Sequence, residues 1–578
     1  MTRILSSVFI TVLLILFLAP QGLAQQASDE SQRSLLPDID PQDIEIRSQF
    51  QARFPGLRRQ PILGFNPQPR IFQIDPNRTP FIEDEETVAA SLTIVELDRP
   101  EAPQYKPLTY ADPRQGFARL GIGSYITPEA DIFATARLGE RQWVSANINY
   151  RSSDGHLDLQ NSSYRNFDGI VRTYNHISDS KTLRVHAGGR SDFNYLTQNV
   201  TPAGFVQDSE GRVAQNGFRL GASLLSNRTA MSGWQASVNG FGNQYEITGG
   251  SGITMQGDAS EWGLTAGGGY AWLGSRVEEA YSLNVSVKTG EISLLNGDSE
   301  VWNISQATMS YDRLFNYQTD FKLQMGVAIV TDAVNGTTFY PAPKVDVRHT
   351  LFSGLDVRGV FAGTPDHKTL SELRGMNRFQ QLTDPVEHQY TLEGRAELIA
   401  EPLSGTSFRA GFGYETIQNH FYYRRGFATN QDGVTEAGAY RLHFQDASFL
   451  RLYGSFTQKL VPEKLWIQAE GYLQRPRFSN GDKIPFTEAS GLTGSISYML
   501  TSEVLLEGWA ELKGSRYHPD GNEDLSAYAL LGAKFEYSLQ DRFGIYGKLV
   551  NITDTQYELW QGFPERGFQG FVGITILF

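Results

Sequence analysis

Apolar and polar residues alternate along most of the chain after Gly116, and no other feature of the sequence restricts its possible folds so strongly. In the segment "FKLQMGVAIV" (321–330), Phe321 and Leu323 alternate with Lys322. Successive side chains on a β-strand point to opposite faces, so this spacing predicts strands with one apolar face and one polar face. The pattern recurs in "QWVSANINYR" (142–151), "YSLNVSVK" (281–288), "YTLEGRAEL" (390–398), "EVLLEGWAELK" (503–513), "AYALLGAKFEYSL" (527–539) and "RFGIYGKLV" (542–550).

Two classes of connection separate these predicted strands. The short class comprises residues 351–356, 402–407, 460–466, 500–504 and 538–544. The long, polar class comprises residues at about 193–215, 363–387, 426–440, 475–489 and 515–526. Bacterial outer-membrane barrels have tight turns at the periplasmic end and long loops at the extracellular end. The two classes therefore favour such a barrel over a soluble β-sandwich.

The first 24 residues have the form of a secretory signal peptide. They contain Arg3, an apolar run from Val8 to Leu18, and the small residues Gly22 and Ala24, so we expect cleavage after Ala24. No later stretch has the roughly 18 consecutive apolar residues of a membrane-spanning helix. The absence of cysteine excludes disulfides and thiol chemistry, and a net charge of −14 argues against nucleic acid as a partner.

A sheet can span lipid only when it is closed, because every backbone polar group must find its partner within the protein. We therefore predict an all-β fold in which residues 114–578 form a large antiparallel transmembrane barrel of about 22 strands. The expected location is the outer membrane of a Gram-negative-type bacterium, where the apolar face contacts lipid. The charged face then lines a lumen that is too wide for its own side chains to fill. Candidate lumen-facing residues are Glu393, Arg395, Glu397, Lys534 and Glu536.

Aromatic residues near the ends of the predicted strands suit the interfacial girdles of such a barrel, although β-propensity alone also explains any one of them. They are Tyr150, Trp272, Phe352, Trp466, Tyr517 and Trp560. The final segment "GFQGFVGITILF" (567–578) predicts a last strand with one apolar face. That face comprises Phe568, Val572, Ile574, Ile576 and Phe578.

Two constellations of residues resemble the barrel of the TonB-dependent receptors of the outer membrane. The first comprises Asn551, Ile552, Asp554, Tyr557, Gly562, Phe563, Pro564 and Gly567, followed by a strand that ends at Phe578. The second comprises Pro341, Pro343, Phe361, Gly363, Pro365, Glu372 and Leu373. The resemblance covers about residues 113–578. It implies transport of a solute across the outer membrane, and it implies that the barrel-assembly machinery recognises the last strand.

Residues 25–113 depart from this resemblance, because they show no pattern of a standard plug domain. They contain 12 of the 25 prolines, which disfavour helix interiors and central strands. We predict an extended acidic segment that threads the lumen or lies in the periplasm. The sequence "DEETVAA" (84–90) weakly matches the TonB box, so contact with a TonB-type energiser is one interpretation and a solvated acidic run is the other. The contact residues would be Asp84, Glu85, Glu86, Thr87, Val88 and Ala89.

The sequence offers no catalytic or metal-binding motif. Its histidines lack ligand spacing, and the Gly-rich stretch 249–257 lacks the Lys-Ser/Thr of a phosphate loop. We therefore predict a protein that is not an enzyme and has no cofactor. The favoured function is transport of a solute by an uptake receptor or pore, with residues 25–113 as a reduced plug. The alternative is a non-conducting scaffold in a surface lipoprotein, secretion or assembly complex, which docks a periplasmic or surface lipoprotein partner.

Overall fold

The computed structural model describes residues 115–156, 162–195, 211–226, 232–248, 257–276, 278–429, 435–461, 464–519, 524–540 and 542–578. The predicted signal peptide, the segment 25–113 and the predicted TonB contact at 84–89 lie outside these residues. Among the described residues, no helix has the length and apolar character that a membrane crossing requires.

The strands within the described residues follow one another with a single helix among them. They are β1 (Gly116–Gly123), β2 (Thr127–Gly139), β3 (Gln142–Ser153), β4 (Tyr164–Ser178), β5 (Lys181–Tyr195), β6 (Arg212–Ser226), β7 (Ser232–Thr248), β8 (Gly257–Leu273), β9 (Glu279–Ser293), β10 (Ser299–Phe315), β11 (Thr319–Asp332), β12 (Gly336–Pro341), β13 (Lys344–Phe352), β14 (Leu355–His367), β15 (His388–Leu403), β16 (Thr406–Thr429), β17 (Thr435–Val461), β18 (Leu465–Phe478), β19 (Ser490–Met499), β20 (Val504–Lys513), β21 (Tyr528–Gln540), β22 (Phe543–Val550), β23 (Glu558–Trp560), β24 (Phe563–Pro564) and β25 (Gln569–Leu577). The helix α1 (Leu370–Met376) lies between β14 and β15.

All strands except β23 and β24 form one antiparallel sheet that closes on itself. The last strand, β25, pairs with β1, where Phe117 lies opposite Leu577. Strands β12 and β13 pair with β11 in one uninterrupted register and are separated only by residues 342–343. The Ala342 N–H donates a 2.8 Å hydrogen bond to the Gly326 carbonyl of β11, so the pairing continues across the gap, and the adjacent Pro343 has no N–H group to donate. The two segments therefore count as one strand, and the closed barrel has 22 strands, which confirms the predicted fold class.

The connections sort by length to the two ends of the barrel. The turn end has tight connections such as 140–141, 179–180, 353–354 and 404–405. The loop end has the long connections, including 154–163, 368–387, 479–489, 514–527 and 551–568. Because the number of strands is even, the first and last strands both have their free ends at the turn end. There the Phe578 N–H donates a 3.0 Å hydrogen bond to the Gly116 carbonyl.

The outer surface of the barrel is apolar. Large side chains at alternate strand positions are exposed there, and on β25 Val572 is 64% and Ile574 46% exposed. Similar outward residues on other strands are Leu120, Phe218, Val238, Leu283, Met325, Phe412, Leu452 and Leu506. Such a continuous apolar outer face fits contact with lipid acyl chains and would be unfavourable in water.

An aromatic row links four strands near the turn end. Trp272 stacks on Tyr281 with ring centroids 5.7 Å apart, and Tyr281 lies 5.1 Å from Tyr311. Tyr311 in turn lies 6.5 Å from Phe321. This row has the position expected of an interfacial girdle. The girdle role predicted for Trp560 is wrong, because that side chain packs against a hydrophobic core at the loop end.

A tyrosine covers the seam between β1 and β25 on the lumen side. Gly121 and Gly573 lie opposite each other, and a Cβ atom on either would come within 2.1 Å or 2.5 Å, respectively, of the Tyr546 side chain from β22. The Tyr546 hydroxyl donates a 2.8 Å hydrogen bond to Glu129 on β2. One side chain therefore links the four strands that close the barrel, and it can do so only because the paired residues have no side chains.

The largest hydrophobic core lies at the loop end. The connection between β14 and β15, residues 368–387, packs against lumen-facing residues of several strands and is called the inner loop. Its residues Leu370, Leu373 and Leu382 are fully buried. Long surface loops rarely bury such apolar side chains, so the inner loop is part of the folded interior.

Candidate functional site

The predicted lumen residues belong to two ion-paired groups. In the first group, Arg358 of β14 donates hydrogen bonds of 2.9 and 2.5 Å to Asp346 and lies 3.6 Å from the Glu397 carboxylate. The Tyr453 hydroxyl donates a 2.7 Å hydrogen bond to Glu397. The predicted residues of this group are Glu393 and Arg395, which lie 3.6 Å apart, and Glu397.

The second group joins β20, β21 and β1. The Lys534 ammonium lies 3.1 Å from Glu507 and 2.8 Å from Glu536. Arg119 of β1 reaches the same Glu536 carboxylate at 2.7 Å. Two cations and two carboxylates therefore compensate one another, so the loss of any single member would leave an unpaired charge in the wall.

The wall formed by β7 to β10 is mostly uncharged, and its charged lumen-facing residues are Glu261, Lys288, Glu300 and Asp312. Its lumen-facing positions alternate with outward residues such as Val238, Leu264, Val285 and Met309. At these positions lie Gln235, Ser237, Asn239, Thr265, Gly267, Ser282, Asn284, Ser286, Gln306, Thr308 and Ser310. One side of the lumen is thus ion-paired, and the other presents hydroxyl and amide groups that can exchange hydrogen bonds with water or a polar solute.

The inner loop connects distant sides of the lumen through one hydrophobic core. The core takes residues from β6 to β10 on one side, and from β16, β17 and the connection 551–568 on the other. Phe379 of the inner loop stacks on Phe563 with ring centroids 3.6 Å apart. The Tyr423 hydroxyl of β16 donates a 2.8 Å hydrogen bond to the Leu373 carbonyl. The inner loop therefore crosses the barrel at its loop end.

The helix α1 begins at a capping box, and its first turn docks on the barrel wall. The Thr369 hydroxyl accepts from the Glu372 N–H at 3.1 Å, and the Glu372 carboxylate accepts from the Thr369 N–H at 2.8 Å. Glu261 of β8 accepts from the N–H groups of Leu370 and Ser371 at 2.7 and 3.0 Å. A carboxylate satisfies these free N–H groups and complements the positive end of the helix dipole. Glu261 thereby attaches the start of α1 to the barrel wall.

Three ion pairs hold the rest of the inner loop, and one of them joins Arg378 to Glu565 of the connection 551–568 at 3.1 Å. Arg374, which is 5% exposed, donates hydrogen bonds of 2.8 Å to Asp192 and 2.5 Å to Asn194, both on β5. Burial lowers the pKa of the Arg374 guanidinium, and the Asp192 carboxylate opposes that shift. Asp384 accepts from Arg441 Nε at 3.0 Å and from a backbone N–H of β17 at 3.0 Å. The inner loop is thus attached to both sides of the lumen.

The sequence predicts residues 363–387 to be a polar loop, and that prediction misses its buried part. One signal in the sequence does indicate a helix start here. It is Thr-Leu-Ser-Glu at 369–372, a capping box that is followed directly by the apolar residue Leu373. Leu382 and Val386 are further apolar residues in this segment, and both are buried. No local pattern indicates that this short helix packs inside the barrel, because its contacts come from strands distant in sequence.

The structure also locates the predicted last-strand residues. Phe568 and Phe578 are exposed on the outer surface together with Val572 and Ile574, and Ile576 is half-buried. Their recognition by the barrel-assembly machinery remains a prediction. In the described residues, no group of histidine, aspartate and glutamate side chains could hold a metal ion.

Several solved outer-membrane proteins have a similar structure. FpvA of P. aeruginosa, in a complex with a pyoverdine and iron, is 12% identical with a TM-score of 0.64, over 80% of this chain and 72% of that one. The ferric-catecholate import receptor Fiu of E. coli K12 is 11% identical with a TM-score of 0.61, over 81% and 82%. The chain has the fold of a TonB-dependent receptor. No family model and no curated protein matches its sequence.

A third similar structure extends the range of solutes handled by this fold. The copper transporter OprC is 13% identical with a TM-score of 0.61, over 81% of this chain and 80% of that one. Fiu is an import receptor and OprC is a transporter. The receptor-type fold and the apolar outer face together indicate an outer-membrane location.

Proposed function

We propose that this receptor-type barrel takes up a solute across the outer membrane. The proposal rests chiefly on one observation: the closed 22-strand barrel encloses a lumen with an ion-paired side and a polar side that is mostly uncharged. Such a wall can bind a polar solute or replace part of its hydration shell during passage, and its charges can select among solutes. Glu393, Arg395, Glu397, Lys534 and Glu536 are the charged wall residues proposed to have this role.

Metal complexes are the solutes to test first. The neighbours of known structure include receptors for siderophores and a copper transporter. With this fold, uptake would be driven by a TonB-type energiser that contacts residues 84–89, and residues 25–113 would act as a reduced plug. The predicted signal peptide directs export, and the last strand is the proposed substrate of the barrel-assembly machinery.

A non-conducting scaffold is the second candidate function. It is favoured by the inner loop, because a barrel whose interior is packed at one end need not pass a solute. In that case residues 25–113 would dock a periplasmic or surface lipoprotein partner.

Uptake by intact cells distinguishes the two functions. A host that lacks its own receptors for the probes would produce the full chain, and accumulation of radiolabelled ferric enterobactin and of radiolabelled copper would be measured with and without TonB. We expect TonB-dependent accumulation of at least one probe above the empty-vector level. Accumulation that does not depend on TonB would indicate a pore.

A conductance measurement, combined with the uptake assay, can contradict the transport function. A chain that lacks both residues 25–113 and the inner loop would be placed in planar bilayers in potassium chloride. If this chain is folded yet conducts no current, and intact cells accumulate neither probe, the transport function is wrong and the scaffold remains.

A further inference from the structure

We propose that two arginines on the outer surface of β18, Arg475 and Arg477, bind the phosphate groups of a phosphorylated glycolipid in the outer leaflet of the membrane. This inference goes beyond the proposed transport function. It concerns the lipid-facing surface and does not depend on which solute passes through the lumen.

Both arginines lie on the lipid-facing side of β18. Residues two apart on a strand share a face, and Leu473, two residues before Arg475, is 51% exposed on the outer surface. The intervening Gln474 faces the lumen, where it accepts hydrogen bonds of 3.0 and 2.8 Å from the Arg451 guanidinium. Arg475 is exposed and Arg477 is half-buried. Their side chains therefore belong to the outer surface and not to the lumen wall.

The apolar outer surface ends at these two arginines. Three successive rows of opposed outward residues cross β16, β17 and β18 toward the loop end, and their character changes from apolar to polar. The rows are Phe412, Leu452 and Leu473, then Tyr414, Leu450 and Arg475, then Thr416, Ser448 and Arg477. An arginine suits such a boundary, because its stem contacts apolar surface while its charged end reaches polar headgroups. The loop end of a barrel of this kind is extracellular, so these headgroups are those of the outer leaflet.

Neither arginine forms an ion pair with any residue that the structure describes. Lumen-wall arginines differ, since Arg119 pairs with Glu536 and Arg358 with Asp346. The exposed Asp446 of β17, two residues from Ser448, instead accepts a 2.9 Å hydrogen bond from a backbone N–H of β16. Two like charges on neighbouring positions of one face repel each other, so an anion from outside the chain would stabilise both.

A lipid phosphate has the charge and shape that this pair of side chains can bind. Residues two apart on a strand are separated by about 6.6 Å, so both guanidinium groups can approach one headgroup. Each guanidinium can donate two parallel hydrogen bonds to phosphate oxygens. The apolar row of Phe412, Leu452 and Leu473 lies next to the arginines and would contact the acyl chains of the same molecule. This continuity favours a lipid over free phosphate as the occupant.

Lipid binding to the purified full chain tests the proposal. The chain in detergent would be titrated with lipid A that carries two phosphates, and with the same lipid A after enzymatic removal of both, and bound lipid would be counted by native mass spectrometry. We expect the Arg475→Gln/Arg477→Gln variant to bind the phosphorylated lipid about tenfold more weakly than the parent, because charge-assisted hydrogen bonds to phosphate are lost. The dephosphorylated lipid should bind parent and variant equally weakly.

A matched control removes the same charge from the lumen side of the wall. Arg172 of β4 alternates with the outward residue Val171, and Arg409 of β16 lies opposite Ser455 on the lumen-facing side. The Arg172→Gln/Arg409→Gln variant should therefore bind the phosphorylated lipid as the parent does. Every variant must keep the mobility of a folded barrel on an unboiled gel.

Four results would overturn the proposal. Equal weakening in the control variant would show a response to net charge alone, and equal binding of the two lipids to the parent would show that phosphate is not recognised. Displacement of bound lipid by an equimolar amount of inorganic phosphate would indicate a site for a free anion. Equally tight binding of phosphatidylglycerol would show that the glycolipid headgroup is not required.

Discussion

At the scale of single residues, closure of the barrel depends on the absence of side chains at two positions. Gly121 and Gly573 form one pair at the seam, and the Tyr546 ring lies over both. The hydroxyl of that ring then reaches Glu129, which is buried on the far side of the seam. A methyl group at either glycine would have to displace the ring and so break a hydrogen bond to a buried carboxylate.

We expect Gly121→Ala to destabilise the barrel by about 1–3 kcal/mol, the usual cost of overpacking, because its Cβ atom would lie 2.1 Å from the Tyr546 hydroxyl. The measurement is the temperature at which the folded form disappears from an unboiled gel. Gly394→Ala is the matched control, because a Cβ atom there would meet no other atom within 4 Å. Equal loss of stability in the two variants would show that the contact with Tyr546 does not matter.

The charged residue Lys534 offers a second test at this scale. It lies between Glu507 and Glu536, so Lys534→Met leaves two carboxylates with only Arg119 to compensate them. In a conducting chain that lacks residues 25–113 and the inner loop, we expect this change to shift the reversal potential in a potassium chloride gradient toward cation selectivity.

The control for that measurement is Lys483→Met. Lys483 lies in a long connection at the loop end, where it faces the exposed Asp524 at 3.6 Å. Unchanged selectivity in both variants would mean that the ion-paired wall does not face the permeation path.

At the scale of elements, α1 is a helix of seven residues that is too short to be stable alone. Its capping box and its buried leucines must therefore act together with the wall. Leu373 is fully buried, whereas Met376, three residues later, is 46% exposed. The two side chains provide a matched pair for testing how the inner loop is held.

We expect Leu373→Ala to weaken seating of the inner loop by about 2–5 kcal/mol, through lost burial and the cavity left behind. External trypsin should then cleave at Arg374 or Arg378 at least tenfold faster on intact cells, while the barrel itself melts as before. Met376→Ala should change neither. Cleavage at the parent rate in the Leu373 variant would argue that seating does not depend on this core.

The elements themselves differ in how far the sequence predicts them. Strands such as β11 and β21 follow from alternation alone, because lipid outside and water inside impose opposite demands on successive residues. The strand interrupted at Pro343 could be anticipated only as a proline near a strand end. The inner loop could not be anticipated, because Leu373 and Leu382 are buried by strands that are distant in sequence. Likewise, the role of Glu261 follows only from its hydrogen bonds to the start of α1.

At the scale of the whole molecule, the outward residues of 22 strands form one apolar surface. We expect the chain to fractionate with outer membranes and to leave them only with detergent, because that surface has no counterpart in water-soluble proteins. Recovery of the folded chain from the periplasm without detergent would contradict the barrel.

The last strand gives a second test at this scale, since it is the proposed signal for barrel assembly. We expect Phe578→Ala to lower the amount of folded barrel, as measured on unboiled gels.

The pairing of β1 with β25 has a consequence for how the chain could be rearranged. Gly116 and Phe578 are hydrogen-bonded neighbours, so a short linker could join them and new termini could be cut between Phe352 and Leu355 at the same end. Such a circular permutant would keep every strand pairing but would finish on Phe352, an outward-facing aromatic residue of a different strand. If the permutant assembles, the strand pairings alone are enough to form the barrel, whatever the order in which the strands are synthesised.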